Sequence, residues 1–219
     1  MSEGRAPRTP GEYRLTVPEG WWAIDLDPAR AGADVAALVE HQWRGVDDAP
    51  LLKAEARASL LREAQDAADV GGLQLFLSVG TLGGIPLSAS LLVSGLPLGS
   101  PDELTALAQQ ARARGRDVTQ VDLPAGPALR TLWRQPPGDD DSSGLVTTCL
   151  DVHVAVPRAP RVLAMQFRTP MEPLADVLVE VFDAIAGTLR WAPGGPVHSE
   201  PDRSRDGYDS SAPTTRGWG

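Results

Sequence analysis

The sequence predicts an α+β fold, a mostly antiparallel sheet flanked by helices in an α/β/α sandwich. Short apolar runs recur with the two-residue period of strands, and several of them are joined by tight turns that contain proline or glycine. Consecutive strands joined in this way pair antiparallel. The helical segments each carry a single apolar stripe, which must be buried against a sheet. A strand, a cap and a helix also follow one another near the end of the chain.

This last unit extends from Arg161 to Trp191 and is the most fully specified part of the sequence. Residues 161–168 alternate as a strand. Thr169 suits the N-cap of the next helix, Pro170 its first position, and Glu172 the acidic position of a capping box. The alternating apolar residues of the strand are Leu163, Met165 and Phe167.

The helix that follows has apolar residues at successive spacings of three and four, which places them on one face. Gly187 then predicts a left-handed C-cap. The apolar residues are Leu174, Val177, Leu178, Val181, Phe182 and Ile185.

The other elements follow the order two strands, two helices, two strands, a helix, four strands, a helix and a short strand. In the pair Trp21–Trp22, one indole is expected on each face of its strand. One helical region opens at Asp27–Pro28, the next extends from Pro50 to about Asp69, and a capping box at 100–103 opens a third that ends near Gly115. The predicted strands are 12–17, 21–26, 73–79, 86–94, 118–123, 128–135, 145–156 and 161–168.

The composition is that of a globular protein with an acidic surface. The chain has 219 residues, 42% of them hydrophobic, and a formal net charge of −9; Lys53 is its only lysine. An acidic surface repels phosphate groups, so the charge argues against nucleic acid as a partner. The stretch 70–101 has no charged residue, but its glycines and prolines favour two buried strands over a membrane span.

The domain organisation predicted is a single α+β domain at 12–191 between a disordered N-terminus (1–11) and a disordered Pro/Gly/Ser-rich tail (192–219). The first residues lack the apolar core of a signal peptide. Cys149 is the only cysteine, so no disulfide can form within the chain. These features predict a cytoplasmic protein.

Cys149, Asp151 and His153 are the residue types of a cysteine-based catalytic triad. On a regular strand they share one face, but Cys149 and His153 are then about 13 Å apart, too far for a nucleophile and its base. We therefore interpret them as a solvent-side strand face with a small buried thiol, and predict no catalytic residue. Asp139 to Gly144 resembles half of a calcium loop, but Leu150 occupies the position of the bidentate glutamate. A solvated loop is favoured, and no metal or cofactor is predicted.

Arg130 and Arg134 lie on one face of a predicted strand, and Trp133 lies on the other. A basic and aromatic strand suits recognition of an acidic peptide. The favoured alternative is that both arginines lie over helices and pair with Asp or Glu. Trp218, near the end of the polar tail, is a second candidate for contact with a protein partner, since aromatic anchors dominate small interfaces.

Three segments together resemble the Mog1/PsbP-like α/β/α sandwich, a layout that actinobacterial proteins share. They are Val17–Trp21, the hairpin Leu123–Arg130, and the strand-to-helix unit at Phe167–Pro170. Members include photosystem accessory proteins, a Ran-binding nuclear transport factor and bacterial lipoproteins. The resemblance implies an accessory role through protein binding, and it carries over no functional residue.

Three functions follow as hypotheses. The first is a non-enzymatic cytoplasmic accessory or protein-binding domain with an unidentified protein partner. The second is an adaptor or chaperone-like component of a specialised secretion system. The third is a hydrolase or small-molecule-binding enzyme, which requires polar side chains from different strands to converge in an enclosed pocket.

Overall fold

The computed structural model describes residues 13–45, 49–98, 102–138 and 144–192. Five predictions fall outside these residues: the disordered N-terminus, nearly all of the disordered tail, the start of the capping box at 100–103, the acidic part of the calcium-like loop, and Trp218.

The described residues form eleven strands and four α-helices. The strands are β1 (Tyr13–Arg14), β2 (Trp21–Asp25), β3 (Gly72–Ser78), β4 (Thr81–Leu82), β5 (Ile85–Pro86), β6 (Ser90–Pro97), β7 (Asp117–Leu123), β8 (Gly126–Gln135), β9 (Thr147–Ala155), β10 (Arg161–Thr169) and β11 (Arg190–Trp191). The helices are α1 (Ala31–Gln42), α2 (Pro50–Asp69), α3 (Asp102–Ala113) and α4 (Ala175–Gly187).

Seven of the strands form one sheet in the order β2-β3-β6-β10-β9-β8-β7. Every neighbouring pair in it is antiparallel. The hairpins β7–β8 and β9–β10 connect strands that are consecutive in sequence, whereas β6 pairs with β10 across the intervening helix and three strands. The predicted α+β fold, a mostly antiparallel sheet flanked by helices, is confirmed.

Helix α4 covers one face of the sheet, which we call the α4 face. Its buried residues Leu178, Phe182 and Ile185 pack on the alternating apolar residues of the central strands. The ring of Phe182 stacks on Phe167 with centroids 4.9 Å apart, and Trp21 meets it edge-on at 6.4 Å. The central residues of this core are Leu91, Val93, Leu150, Val152, Val154, Leu163, Met165 and Phe167.

The other helices pack on the opposite face. Helices α1 and α2 bury a second cluster against β2 and β3, built around Ile24, Leu38 and Ala64. Trp22 packs against this cluster, so the two indoles of Trp21–Trp22 lie on different faces as predicted. Helix α3 packs on β7 and β8 at the far end of the sheet through its buried alanines. The central strands β6, β10 and β9 lie between these two helical layers.

The two ends of the domain are joined by a separate two-stranded sheet. Tyr13 pairs with Trp191 in an antiparallel ladder between β1 and β11. The hydroxyl of Thr188 accepts a hydrogen bond from the backbone N–H of Thr16 at 2.9 Å. The indole N–H of Trp191 donates to the carbonyl of Ala125 at 2.7 Å. These contacts fasten the first and last strands to the main core.

The predicted capping of the last helix is wrong. Thr169 is the final residue of β10, and its hydroxyl donates to the carbonyl of Ser88 at 2.7 Å. The chain then makes a 3-10 turn at Glu172–Leu174, and α4 begins at Ala175 without a side-chain cap. At the other end, Gly187 still belongs to the helix, and the residue that follows is Thr188 in a right-handed conformation. The predicted left-handed C-cap at Gly187 is therefore also wrong.

The predicted element bounds are otherwise close to those observed, with two local differences. The strand predicted at 12–17 is reduced to Tyr13–Arg14, which pairs with β11. The strand predicted at 86–94 is replaced by a short hairpin, β4–β5, and by β6, which begins at Ser90. Gly83 and Gly84 form the turn of this hairpin with φ of +59° and +83°, a conformation that glycine adopts without strain. Pro86 ends the hairpin strand, so the continuous pairing with β10 begins only at Ser90.

Candidate interaction surface around Trp133

The two predicted arginines of β8 lie on the α4 face and are both paired with acidic residues. Arg130 makes a bidentate contact with Asp183 of α4, through Nε at 2.8 Å and Nη2 at 2.9 Å. This hydrogen bonding raises the pKa of the Arg130 guanidinium. Arg134 contacts Glu172 at 3.0 Å. Both arginines are thus placed as the favoured alternative predicts.

Trp133 points to the opposite face, where it meets two other arginines. The guanidinium carbon of Arg116 lies 3.9 Å from the centroid of the Trp133 ring. That of Arg168, on β10, lies 5.0 Å from the same centroid. Both distances are within the range of cation–π attraction. We call these three residues the Trp133 cluster.

The sheet register brings the Trp133 cluster together. Cys149 of β9 lies directly between Trp133 of β8 and Arg168 of β10 in the cross-strand row. Arg116 immediately precedes β7, the strand beyond β8. The three residues are therefore far apart in sequence and adjacent on one face. Arg168 also bonds Asp151 at 2.7 Å, whereas Arg116 has no acidic partner among the described residues.

A polar strip continues from this cluster along the middle of the sheet. It consists of Ser94, Asp151, His153, Gln166 and Arg168, on the three central strands. Asp151 is paired across the strands with Gln166, and the hydroxyl of Ser94 contacts the Gln166 side-chain oxygen at 3.4 Å. Polar groups therefore occupy the middle of this face, between the strands that contact α1 and α2 and the strands that contact α3.

The part of the strip on β9 is buried, which corrects the interpretation of β9 as a solvent-side face. Cys149 is 0% exposed, and Asp151 and His153 are each 8% exposed. The sequence correctly predicts that the Cys149 thiol is buried. It is wrong about Asp151 and His153, because the alternation along one strand does not show which side chains of the neighbouring strands cover it.

His153 is the residue of the strip that has a buried polar atom without a hydrogen bond. Its Nδ1 is buried and has no hydrogen-bond partner. Burial lowers the pKa of His153, and Arg168 lowers it further, while the negative charge of Asp151 acts in the opposite direction. Burial likewise raises the pKa of the Cys149 thiol. A raised pKa disfavours the thiolate of Cys149, which is the nucleophilic form of the side chain.

Two clefts of the described surface lie away from the polar strip. One, of about 520 Å³, is open and lies between Trp22, His41, Trp43 and Lys53. The other, of about 250 Å³, lies beside the Arg130–Asp183 pair under α4. The strip itself packs against its neighbours, and none of its residues lines either cleft. Within the described ranges, no three His, Cys, Asp or Glu side chains gather in a way that would hold a metal ion.

Sequence reasoning identified Trp133 but missed Arg116 and Arg168. Arg168 carries one usable signal, since it alternates with the buried Phe167 and must lie on the face away from α4. Arg116 lies between the predicted helix end near Gly115 and the strand predicted from Val118, and the sequence assigned it no role. Neither observation reveals that both side chains meet Trp133, because this depends on the pairing of three strands.

None of the helices in the described part of the chain is long and apolar enough to cross a membrane. No protein-family model matches the sequence, and no curated protein sequence matches it significantly. Among solved structures, the chain is similar to LpqN, involved in cell envelope biogenesis of Mycobacterium tuberculosis, with 12% identity and a TM-score of 0.45. The similarity covers 84% of this chain and 87% of that one. A similarity of this degree identifies neither a family nor a function.

Proposed function

We propose that this protein is a non-enzymatic accessory domain that binds an acidic segment of a protein partner through the Trp133 cluster. The observation that carries the proposal is the position of two guanidinium groups, those of Arg116 and Arg168, 3.9 Å and 5.0 Å from one indole centroid. An aromatic surface bordered by two cations offers apolar contact and charge together.

The chemistry of arginine supports an acidic partner. A guanidinium that stacks on an aromatic ring keeps its N–H groups free at its edge, where a carboxylate can accept two of them. Arg116 is half-buried against the ring and has no acidic partner among the described residues. The net charge of −9 makes this local positive charge distinct from the average surface and suited to selecting a partner.

The non-enzymatic part of the proposal is supported by the raised pKa of the buried Cys149 thiol and by the separation of about 13 Å between Cys149 and His153 along one strand. We also propose a cytoplasmic location and a Mog1/PsbP-like relationship, supported by the single buried cysteine and by the short segments that resemble that family. The secretion-adaptor and hydrolase functions stay predictions, and no feature of the described surface favours either.

Calorimetric titration tests the proposal with a peptide of alternating glutamate and leucine and a matched peptide in which glutamine replaces glutamate. We expect the acidic peptide to bind and the neutral one to bind at least about tenfold more weakly. Arg116→Ala and Trp133→Ala are each expected to reduce the affinity by a similar factor. Arg134→Ala is the matched control, because Arg134 lies on the same strand as Trp133 but on the other face. This variant should change the affinity for the acidic peptide less than about twofold.

Two results would refute the proposal. One is equal affinity for the acidic and neutral peptides, which includes the absence of binding to both. The other is an equal loss of affinity in Arg134→Ala and Arg116→Ala, which would show that general positive charge rather than the Trp133 cluster attracts the peptide.

A further inference from the structure

The larger of the two clefts described above lies where α1, α2 and β2 meet. Its volume of about 520 Å³ is within the range of about 300–1,000 Å³ that is usual for small-molecule sites. Three elements and one turn supply its principal side chains. They are Trp22 of β2, Glu40 and His41 of α1, Trp43 and Arg44 of the turn that follows α1, and Lys53 in the first turn of α2.

Aromatic rings form the apolar part of this cleft. Trp22 and Trp43 are both half-buried, so part of each indole is open to the cleft. The ring of His41 lies 5.1 Å from that of Trp22 and is tilted by 34°, which holds the Trp22 indole against α1. Trp43 contacts no other aromatic ring in the described part of the chain. Indole faces that are not covered by other rings offer a stacking surface to a planar ligand.

Most polar groups of the cleft are hydrogen-bond donors. Lys53 and Arg44 are cationic, and an indole N–H can only donate. The indole N–H groups of Trp22 and Trp43 have no acceptor among the described residues. Of the described residues that line the cleft, Glu40 is the one carboxylate. The lining therefore favours a ligand that supplies acceptor oxygens.

Lys53 is placed to contact an anionic group. Its side chain is only 22% exposed, and its Nζ lies 3.7 Å from the carboxylate of Glu40. The Glu40 side chain is 72% exposed, so water screens this ion pair and the pair contributes little. An ammonium group has three N–H donors, so Lys53 can bind a ligand oxygen while it keeps its contact with Glu40.

The charge of the cleft differs from that of the whole chain. Arg44 is exposed and has no acidic partner among the described residues. The two cations of the cleft thus outnumber its one carboxylate, in a chain with a net charge of −9. A cationic ligand, which aromatic rings alone would attract, is repelled by Lys53 and Arg44. A neutral aromatic ligand gains the stacking contact but not the charge-assisted hydrogen bonds.

We propose that this cleft binds a small planar aromatic anion. The ring of the ligand lies against the indoles of Trp22 and Trp43, and its carboxylate or phosphate group contacts Lys53 and Arg44. The site is separate from the Trp133 cluster, because β2 is the first strand in the order of the sheet and β8 is the sixth. The proposal is therefore independent of peptide binding at that cluster.

Chemical modification of Lys53 tests the proposal on the unaltered full chain. Lys53 is the only lysine, so an acetylating reagent modifies two amines, that of Lys53 and the α-amino group of the first residue. We expect 2-naphthoate or 2-naphthyl phosphate, at up to about 1 mM, to slow the acetylation of Lys53 and to leave that of the α-amino group unchanged. Peptide mass spectrometry measures both rates, and the more protective probe identifies the preferred anionic group.

Calorimetric titration with the same two anions measures what each part of the cleft contributes. Neutral 2-naphthylmethanol and non-planar cyclohexanecarboxylate should each bind at least about tenfold more weakly than the better anion. Lys53→Gln and Trp43→Leu should each weaken binding of that anion at least about fivefold. Arg62→Gln is the matched control for loss of charge, because Arg62 is exposed on α2 outside the cleft; it should change the affinity less than about twofold.

Three results would overturn the proposal. The first is that neither aromatic anion protects Lys53, and this test requires no variant to fold. The second is equal binding of the aromatic anions and 2-naphthylmethanol, which would mean that the cations have no role. The third is an equal loss of affinity in Arg62→Gln and Lys53→Gln, which would mean that the overall charge of the chain, and not this cleft, attracts the anion.

Discussion

At the scale of single residues, His153 has the clearest effect on the stability of the fold. Its Nδ1 is buried without a hydrogen-bond partner, and an unsatisfied polar group of this kind costs about 1–3 kcal/mol. Burial, the largest cause, keeps its pKa below that of a free imidazole. The folded state therefore holds His153 neutral at pH values where the unfolded chain would protonate it.

This difference makes the stability of the protein depend on pH. An unfolded histidine has a pKa of about 6.5. As the pH falls below this value, the unfolded chain binds a proton that the folded chain does not, so the free energy of unfolding decreases. The contribution of His153 is thus fully present above about pH 6.5 and is lost toward acidic pH. Urea unfolding at a series of pH values measures it.

We expect His153→Gln to show a shallower loss of stability between about pH 7 and pH 5 than the unaltered protein. The acidic residues contribute equally to both, so the difference between the two slopes isolates His153. His41→Gln is the matched control, because His41 is exposed and its ring lies against Trp22 at 5.1 Å, tilted by 34°. If His153→Gln and the unaltered protein lose stability in parallel, the buried imidazole does not titrate as described.

The alternation of side chains explains why only part of the candidate surface could be predicted. The alternation of side chains along a strand correctly separates Trp133 from Arg130 and Arg134. It does not show which residues of other strands lie beside Trp133. Arg168 reaches the ring because β10 and β8 are both neighbours of β9, a register set by the whole sheet. The sequence around Trp133 contains no information on that pairing.

At the scale of elements, α4 shows how a tertiary contact overrides a local signal. Thr169, Pro170 and Glu172 have the spacing of a helix start, yet Thr169 is fully buried as the last residue of β10, where its hydroxyl donates to the carbonyl of Ser88, 81 residues away. The same hydroxyl accepts the backbone N–H of Met171 at 3.2 Å, but this bond opens only a 3-10 turn at Glu172–Leu174. Helix α4 begins six residues after Thr169, at Ala175.

The apolar face of α4 was predicted well, and its members differ in burial. Phe182 is 0% exposed and stacks on Phe167, so Phe182→Ala should destabilise the protein by about 3–5 kcal/mol. Val177 belongs to the same predicted stripe but is 53% exposed. Val177→Ala, the matched control, should cost less than about 0.5 kcal/mol. Chemical denaturation measures both, and comparable losses would contradict the packing of α4.

At the scale of the whole molecule, the order of the helices and of the long strands followed from the sequence, while the order of strands in the sheet did not. Tight turns predict the hairpins β7–β8 and β9–β10 directly. The pairing of β6 with β10 joins residues such as Leu91 and Phe167, which are separated by a helix and three strands. Such a pairing depends on burying one face of both strands together, and no local pattern encodes it.

The contacts of the last residues predict where the chain can be shortened. A chain that ends at Ala192 keeps β11 and should unfold at the same denaturant concentration as the full chain. A chain that ends at Gly187 loses the fully buried Leu189, the Thr188–Thr16 contacts and the ladder between β1 and β11. The loss of Leu189 alone should cost about 2–5 kcal/mol. Equal stability of the two shortened chains would contradict the role assigned to β11.

The pairing of Tyr13 with Trp191 also determines how the domain can be held. Because the first and last strands are neighbours, polypeptide preceding the one and following the other departs from the same side of the fold. A fusion joined directly to Tyr13 and a fusion joined directly to Trp191 would therefore attach at the same place on the domain, so one can replace the other.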